Sequence, residues 1–389
     1  MDSGRRWLGS GRCTDVDSWR AGREAARQAQ GGDDPALAIV FSTGHAKPAE
    51  VLAGIADVLP GVPLIGCSAQ AVIAANGLDG PCVAITVLGG PGFAACTAMA
   101  STQAGDQRDG GAVVARCLAE LDSNLPHRVL ILLTDGLQGG QEEILAGAYS
   151  VVGASVPMIG GCAGPDPALG HAYQLHGRDV GTRSVVGAVV ASDGAFGIGL
   201  GHGCRKVGHP MIVTRSVTGE LYTLDDEPAM QAYLGRLNAP REAYTEKRAF
   251  DAFTRSRPIG IRRRSGEEVR HVGFVPGTDG RLHSNGEIPE GAVIWILEGD
   301  RKSTLGAAAE ACRAAIDNLG GDLPLGLLAF DCISRSRVLG EDGTRQEVER
   351  MFKEADGAAL AGVYTWGEIA RTRGITGYHN QTLVVLALS

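Results

Sequence analysis

One pattern of elements returns three times along this chain, and it restricts the possible folds more than any other feature. Each copy has an apolar run, a Gly-rich or polar loop, a stretch of helical period, a short apolar segment ending in Gly, and a further apolar run. In the first copy Leu37 to Phe41 opens and Pro48 stands at a helix start. Leu52, Ile55, Ala56 and Leu59 then share one face, and Leu64, Ile65 and Gly66 follow. The second copy runs from Val129 to Leu133, through Leu145, Ala148, Tyr149 and Val152, to Met158, Ile159 and Gly160. The third runs from Leu325 to Phe330, through Val348, Met351, Phe352 and Ala355, to Leu360, Ala361 and Gly362. The closing runs are Val83 to Leu88, Val185 to Ala191 and Thr382 to Leu388, which read as strands buried on both faces.

The unit is therefore β-α-β-β. A strand at Val293 to Leu297, then a helix capped by Ser303 or Thr304 with Leu305, Ala309, Cys312, Ile316 and Leu319 inward, reads as a fourth copy. The 389 residues exceed what one core usually holds. We expect an α/β fold of two domains, both built of related β-α-β-β units with mixed sheets covered by helices. Residues 1–34 read as a polar lead-in with one helix, residues 35–221 as the first domain and residues 222–389 as the second. Ser192-Asp193-Gly194 predicts a hairpin joining the strands on either side of it. Gly197, Gly199, Gly201 and Gly203 leave one strand face bare, which predicts tight packing against another backbone ahead of ligand approach.

Composition excludes several classes. A net charge of −8 opposes capture of nucleic acid or an anionic membrane. The clusters Arg255-Ser256-Arg257 and Arg262-Arg263-Arg264 lie near Glu267 and Glu268 with few aromatics, and read as a solvated edge or a partner-docking face. Nine cysteines without a C-x-x-C pair argue against a disulfide framework or structural zinc. With no secretory h-region and no apolar stretch of about 18 residues, a reducing, cytoplasmic location is expected. No P-loop, H-E-x-x-H, G-x-S-x-G or EF-hand pattern occurs.

Ligands of α/β sheets bind beyond the carboxyl ends of parallel strands. The loops there are Ser42-Thr43-Gly44-His45, Thr134 to Gly140, and Asp331 to Arg337. Arg335 and Arg337 are suited to clamp a carboxylate, and Glu368 and Asp135 to receive an ammonium group. His379 and Asn380 precede a buried strand, where support of the loop backbone and contact with ligand are both open. Cys332 near these arginines, with His379 and Asn380, also matches a thiol-hydrolase set, so a thiol-dependent enzyme is an alternative.

Ala361-Gly362-Val363-Tyr364-Thr365-Trp366-Gly367-Glu368-Ile369 followed by His379-Asn380-Gln381-Thr382 resembles the end of the FIST C domain. Phe330 to Gly340 is similar to that domain's F-x-C-x-x-R segment, and Leu224 to Ala229 to its opening, with Asp226 where the family has Gly. Ile65-Gly66-Cys67-Ser68, Ile159-Gly160-Gly161 and His202-Gly203-Cys204-Arg205 resemble turns of the FIST N domain. The resemblance implies a sensory protein, not an enzyme, that binds an amino-acid-like metabolite and signals through a separate partner such as a histidine kinase. It also brings in a haem-based nitric oxide sensor as an alternative, with His171, His176, His202 or His209 available as axial ligand. The expected ligand site comprises Cys332, Arg335, Arg337, Tyr364, Glu368, His379, Asn380, Asp135, Gly66 and Gly160.

Overall fold

A computed structural model describes residues 6–74, 80–263, 266–274, 280–372 and 377–389. Its first unit comprises β1 (Trp7–Cys13), α1 (Ser18–Ala29), β2 (Pro35–Thr43), α2 (Pro48–Val58), β3 (Leu64–Ser68), β4 (Val72–Ile73) and β5 (Cys82–Gly89). Asp17 caps α1 by accepting from the Arg20 N–H at 2.8 Å, and Pro48 occupies the first turn of α2, where its missing N–H has no partner to lose. β2 and β3 are parallel, β5 returns antiparallel beside β2, and the order is β1-β5-β2-β3.

The second unit repeats this with β6 (Phe93–Ser101), α3 (Gln107–Ala115), β7 (His127–Asp135), α4 (Gln141–Val152), β8 (Met158–Ala163), β9 (Gln174–His176), β10 (Asp179–Gly181) and β11 (Ser184–Ser192), in the order β6-β11-β7-β8. The third starts with β12 (Phe196–Gly201) and is interrupted by an inserted sheet. That insertion holds β13 (Arg205–Val217), β14 (Glu220–Leu224), β15 (Glu227–Pro228), α5 (Ala229–Arg236), α6 (Lys247–Thr254), β16 (Ile259–Arg263), β17 (Gly266–Arg270), β18 (Val272–Phe274), β19 (Leu282–Ser284) and β20 (Val293–Glu298). The unit resumes with α7 (Arg301–Asp317), β21 (Gly326–Cys332), α8 (Ile333–Ala355), β22 (Ala359–Thr365), β23 (Glu368–Arg371), β24 (Tyr378–His379) and β25 (Leu383–Leu388). Its order, β12-β25-β21-β22, matches the other two, and α8 breaks at Gly340, where φ is 68°.

The mixed α/β class is as expected, but the unit is longer than β-α-β-β, because a strand and a helix precede each opening strand. Residues 1–34, expected as a polar lead-in, therefore contain β1 as well as the anticipated helix. The fourth copy does not exist. β20 pairs with β13 and β16 in the insertion, while α7 belongs to the third unit and is capped by Asp300 and Ser303 in a capping box. The hairpin at Ser192 to Gly194 also does not form, since β11 pairs with β6 and β7 whereas β12 pairs with β25. Packing decides this. The bare face of β12 lies on α7, and a Cβ at Gly197 or Gly199 would stand 1.9 or 2.0 Å from the carbonyl oxygens of Ala315 and Ala311.

The three sheets enclose one core, in which Phe41 meets Phe330 edge-on at 6.1 Å beside Ile65, Leu133, Ile159 and Val363. Each sheet carries two helices on its other face, α1 and α2, α3 and α4, or α7 and α8. A cyclic exchange of strands joins them. β9 of the second unit pairs with β3, β23 of the third with β8, and β4 of the first with β22. The recurrent glycines mark these junctions, with Gly66 opposite Leu175, Gly160 opposite Ile369 and Gly362 opposite Ile73.

Candidate functional site

The inserted sheet rests against the carboxyl-end loops of the second and third units, and a cleft of three adjoining cavities that share lining residues lies between them. One lobe, of about 690 Å³, lies between the 136–143 loop and residues 218–219 and 283–287, with Trp366 and Tyr378 in its wall. The other, of about 620 Å³, lies between α8 and the insertion. A narrow waist of about 60 Å³ bears Cys332, Ser334, Trp366 and Asn380, and Asn285 lines all three parts. The lobes differ in charge. The first presents Glu142, Glu143 and Glu287, with Glu143 3.3 Å from Arg108, while the second presents Arg255, Arg337 and Lys247 against Glu220 and Asp251, the latter 2.6 Å from Lys247.

Cys332 ends β21 and stands just before α8, buried at the waist. Behind it Glu368 accepts from the Thr365 hydroxyl at 2.7 Å and from the Thr382 N–H at 3.2 Å. Burial raises Glu368 to about 8 against these hydrogen bonds, which favour its charged form. Burial, and after it Glu368, push the Cys332 thiol well above its ordinary value. Across the waist, Asn380 accepts from the His271 N–H at 3.1 Å and donates to the His379 carbonyl at 3.0 Å, and Gln381 meets His271 Nδ1 at 3.2 Å. Burial and then the Arg337 charge bring His271 down to about 4. In the first lobe the Arg270 guanidinium reaches the Tyr378 carbonyl at 2.6 Å and Glu142 at 3.4 Å, tying the insertion to α4.

Of the expected site residues, Cys332, Arg337 and Asn380 meet at this cleft, with Glu368 directly behind them. The others lie elsewhere. Arg335 points inward, with Nε 2.8 Å from Asp331, Nη2 2.5 Å from Glu347, and further donations to the carbonyls of Gly201, His202 and Thr304 at 3.2, 3.3 and 3.0 Å. The carboxylates it clamps are the protein's own. Tyr364 is packed in the layer between β22 and its helices. His379 turns Nε2 to the Ala370 carbonyl at 3.4 Å, whereas the thiol of Cys332 faces Glu368 and the N–H groups of Ser334 and Gln381. Asp135 accepts from Leu137 and Arg183 N–H at 2.9 and 3.3 Å, folding its own loop. Gly66 and Gly160 lie inside sheets, where a Cβ would stand 2.4 and 1.9 Å from the carbonyl oxygens of Val40 and Leu132.

Sequence reasoning did not assign His271, Asn285, Glu142, Trp366 or Arg255 to the site. Trp366 stood inside a recognised segment, but His271, Asn285 and Arg255 belong to the insertion, which has no copy among the described residues. The basic clusters also separate. Arg255 faces the cleft, Arg257 stacks on Phe253 and pairs with Glu298, Arg263 pairs with Glu268, and Arg264 lies outside the described residues. The four histidines available for haem lie outside the cleft. His176 contacts Thr97, His202 accepts from the Cys204 N–H, His171 and His209 are exposed, and none of the four lines the charged cleft. Among the described residues no helix is long and apolar enough to cross a membrane.

The family model of the FIST N domain matches residues 36–227 and that of the FIST C domain matches residues 229–371. Uncharacterized proteins of Mycobacterium bovis and Mycobacterium tuberculosis are each 26% identical over 96% of this chain and 97% of their own length. Among solved structures, a cyanuric acid hydrolase from A. caulinodans aligns with a TM-score of 0.28 at 11% identity, over 49% of this chain and 72% of its own. PurLQS from Thermotoga maritima aligns with a TM-score of 0.24 at 11% identity, over 99% and 72%.

Proposed function

We propose, for a chain that belongs to the FIST family through both its N and C domains, that the cleft binds an amino-acid-like metabolite and that a separate signalling protein reads its occupancy. One observation carries this reading: two lobes of opposite charge meet at a polar waist on which Asn285 and Asn380 are placed. Their volumes suit a small molecule. A zwitterion with its two charges far enough apart to pass the waist would set its carboxylate toward Arg337 and Arg255, in forked, charge-assisted contacts, and its ammonium toward Glu142 and Glu143. Arg337 thus takes the role that the spacing also offered to Arg335.

We read the site as binding rather than catalytic. A nucleophilic cysteine needs a lowered pKa and a base within reach, and burial with Glu368 acts on Cys332 in the opposite sense. The output would follow from differential affinity. A ligand touching both the insertion and α8 stabilises the arrangement in which the two are close, and a partner such as a histidine kinase would recognise that arrangement.

Thermal-shift screening of amino acids, followed by calorimetry, tests the proposal. Arg337→Ala should weaken a hit by roughly 10- to 100-fold, the range for a hydrogen bond to a charged group, with melting of the free protein unchanged. An amide analogue lacking the carboxylate should bind both forms equally weakly. Unchanged affinity in the variant, or no stabilisation by any amino acid or related zwitterion, would sink the reading.

A further inference from the structure

Away from the cleft, we propose that Cys96 and Cys117 form a reversible disulfide site, closed by a peroxide-class oxidant. Cys96 lies on β6, the edge strand of the second sheet, and Cys117 in the 3-10 turn Arg116–Glu120 that follows α3. Each sulfur reaches the other residue's backbone. Cys96 Sγ is 2.7 Å from the Cys117 carbonyl oxygen, and Cys117 Sγ is 3.4 Å from that of Cys96. This reciprocal contact turns both thiols into one gap between β6 and the turn, so the two side chains face each other.

Both cysteines are free, and Cys96 is only half-buried, so a small oxidant can reach the pair. The thiols also influence one another: the hydrogen bond from Cys96 holds Cys117 below its ordinary value, while Cys96 is pushed up. A more acidic sulfur beside a protonated one is a suitable starting point for exchange chemistry. With hydrogen peroxide, one thiol becomes a sulfenic acid and one water leaves. The other thiol then displaces the sulfenic oxygen as a second water, so two thiols and one peroxide yield one disulfide and two waters. A dithiol reductant reverses the step. The closed bond ties the end of α3 to the sheet edge, and the first residue of that helix, Gln107, lines the acidic lobe of the cleft.

If the two cysteines served only as small apolar filler, they would stay reduced. The full-length protein is treated with hydrogen peroxide, unfolded, alkylated with iodoacetamide and mapped by mass spectrometry without reduction. The expected result is a linked Cys96–Cys117 peptide, with two of the nine cysteines lost from the alkylated pool and recovered with dithiothreitol. Cys96→Ser should abolish the link, while the wild-type map stands independently of how that variant folds. Three outcomes overturn the proposal. Both residues stay fully alkylated, either is converted to sulfinic acid without a link, or the link joins Cys13 to Cys82, which occupy the neighbouring strands β1 and β5.

Discussion

Replacing Arg335 with Ala separates a structural pin from a ligand clamp. In the structure Arg335 is 1% exposed and its guanidinium lies between the carboxylates of Asp331 and Glu347, with three backbone carbonyls as further acceptors. Removing one member of such a buried charge group costs about 3–5 kcal/mol, because the remaining charges are left without compensation. Unfolding entropy of about 2.1 cal/mol/K per residue amounts to roughly 0.8 kcal/mol/K for this chain, so about 4 kcal/mol lowers Tm by roughly 5 °C in one cooperative transition. Burial and Glu347 already raise Asp331 well above its usual range. Without Arg335 the Asp331 carboxyl, which loses the charge that opposes its rise, holds its proton still more tightly when folded than when unfolded. The deficit is then full at neutral pH and shrinks as pH falls toward about 4, the unfolded carboxylate range. Scanning calorimetry of both proteins between pH 4 and 7.5 measures this. A variant within 1 °C of wild type at every pH would refute the reasoning, and a loss of ligand affinity with unchanged Tm would return Arg335 to the binding site.

Glu368→Gln reports on the protonated carboxyl behind Cys332. Folding raises Glu368 from 4.5 to about 8, so the native state binds the extra proton and wild-type stability falls as pH rises through that window. The variant should lack that part of the fall, and parallel wild-type and variant stability curves from denaturant titrations between pH 5 and 8 would contradict the assignment. Gly199→Ala should destabilise strongly, by more than about 2 kcal/mol, because its Cβ would meet the Ala311 oxygen at 2.0 Å and neither backbone can yield cheaply. A denaturant midpoint equal to wild type would show that β12 does not lie on α7 as described.

The repeat was legible because helix periodicity and Gly spacing survive in each copy. Val40 faces Gly66, Leu132 faces Gly160 and Ala329 faces Gly362 across the same pair of parallel strands. β1 was not legible, since Trp-Leu-Gly-Ser-Gly-Arg-Cys looks neither apolar nor alternating, and its glycines make sense only once α1 lies on them. The false hairpin has a related cause: a good turn signal was overruled by burial of β12 under α7. At the site, the residues on strand ends were legible by type, but their directions were not. Arg335 and Arg337 are two apart on one helical segment and therefore face different ways, one inward to Asp331 and one to the cleft. The opposite wall, supplied by His271, Asn285 and Arg255, could not be inferred from a repeat to which it does not belong.

The circular lending of β4, β9 and β23 makes the three units hosts and guests of one another. Deleting any one would strand a neighbour's donated segment without a sheet and leave another sheet with a raw edge, so the ring cannot shrink to two without redesign. New material can enter only where the circuit is not cut, and the step from β12 to α7 is such a place. A module added there has acquired a face over the carboxyl-end loops while the donated strands keep their hosts.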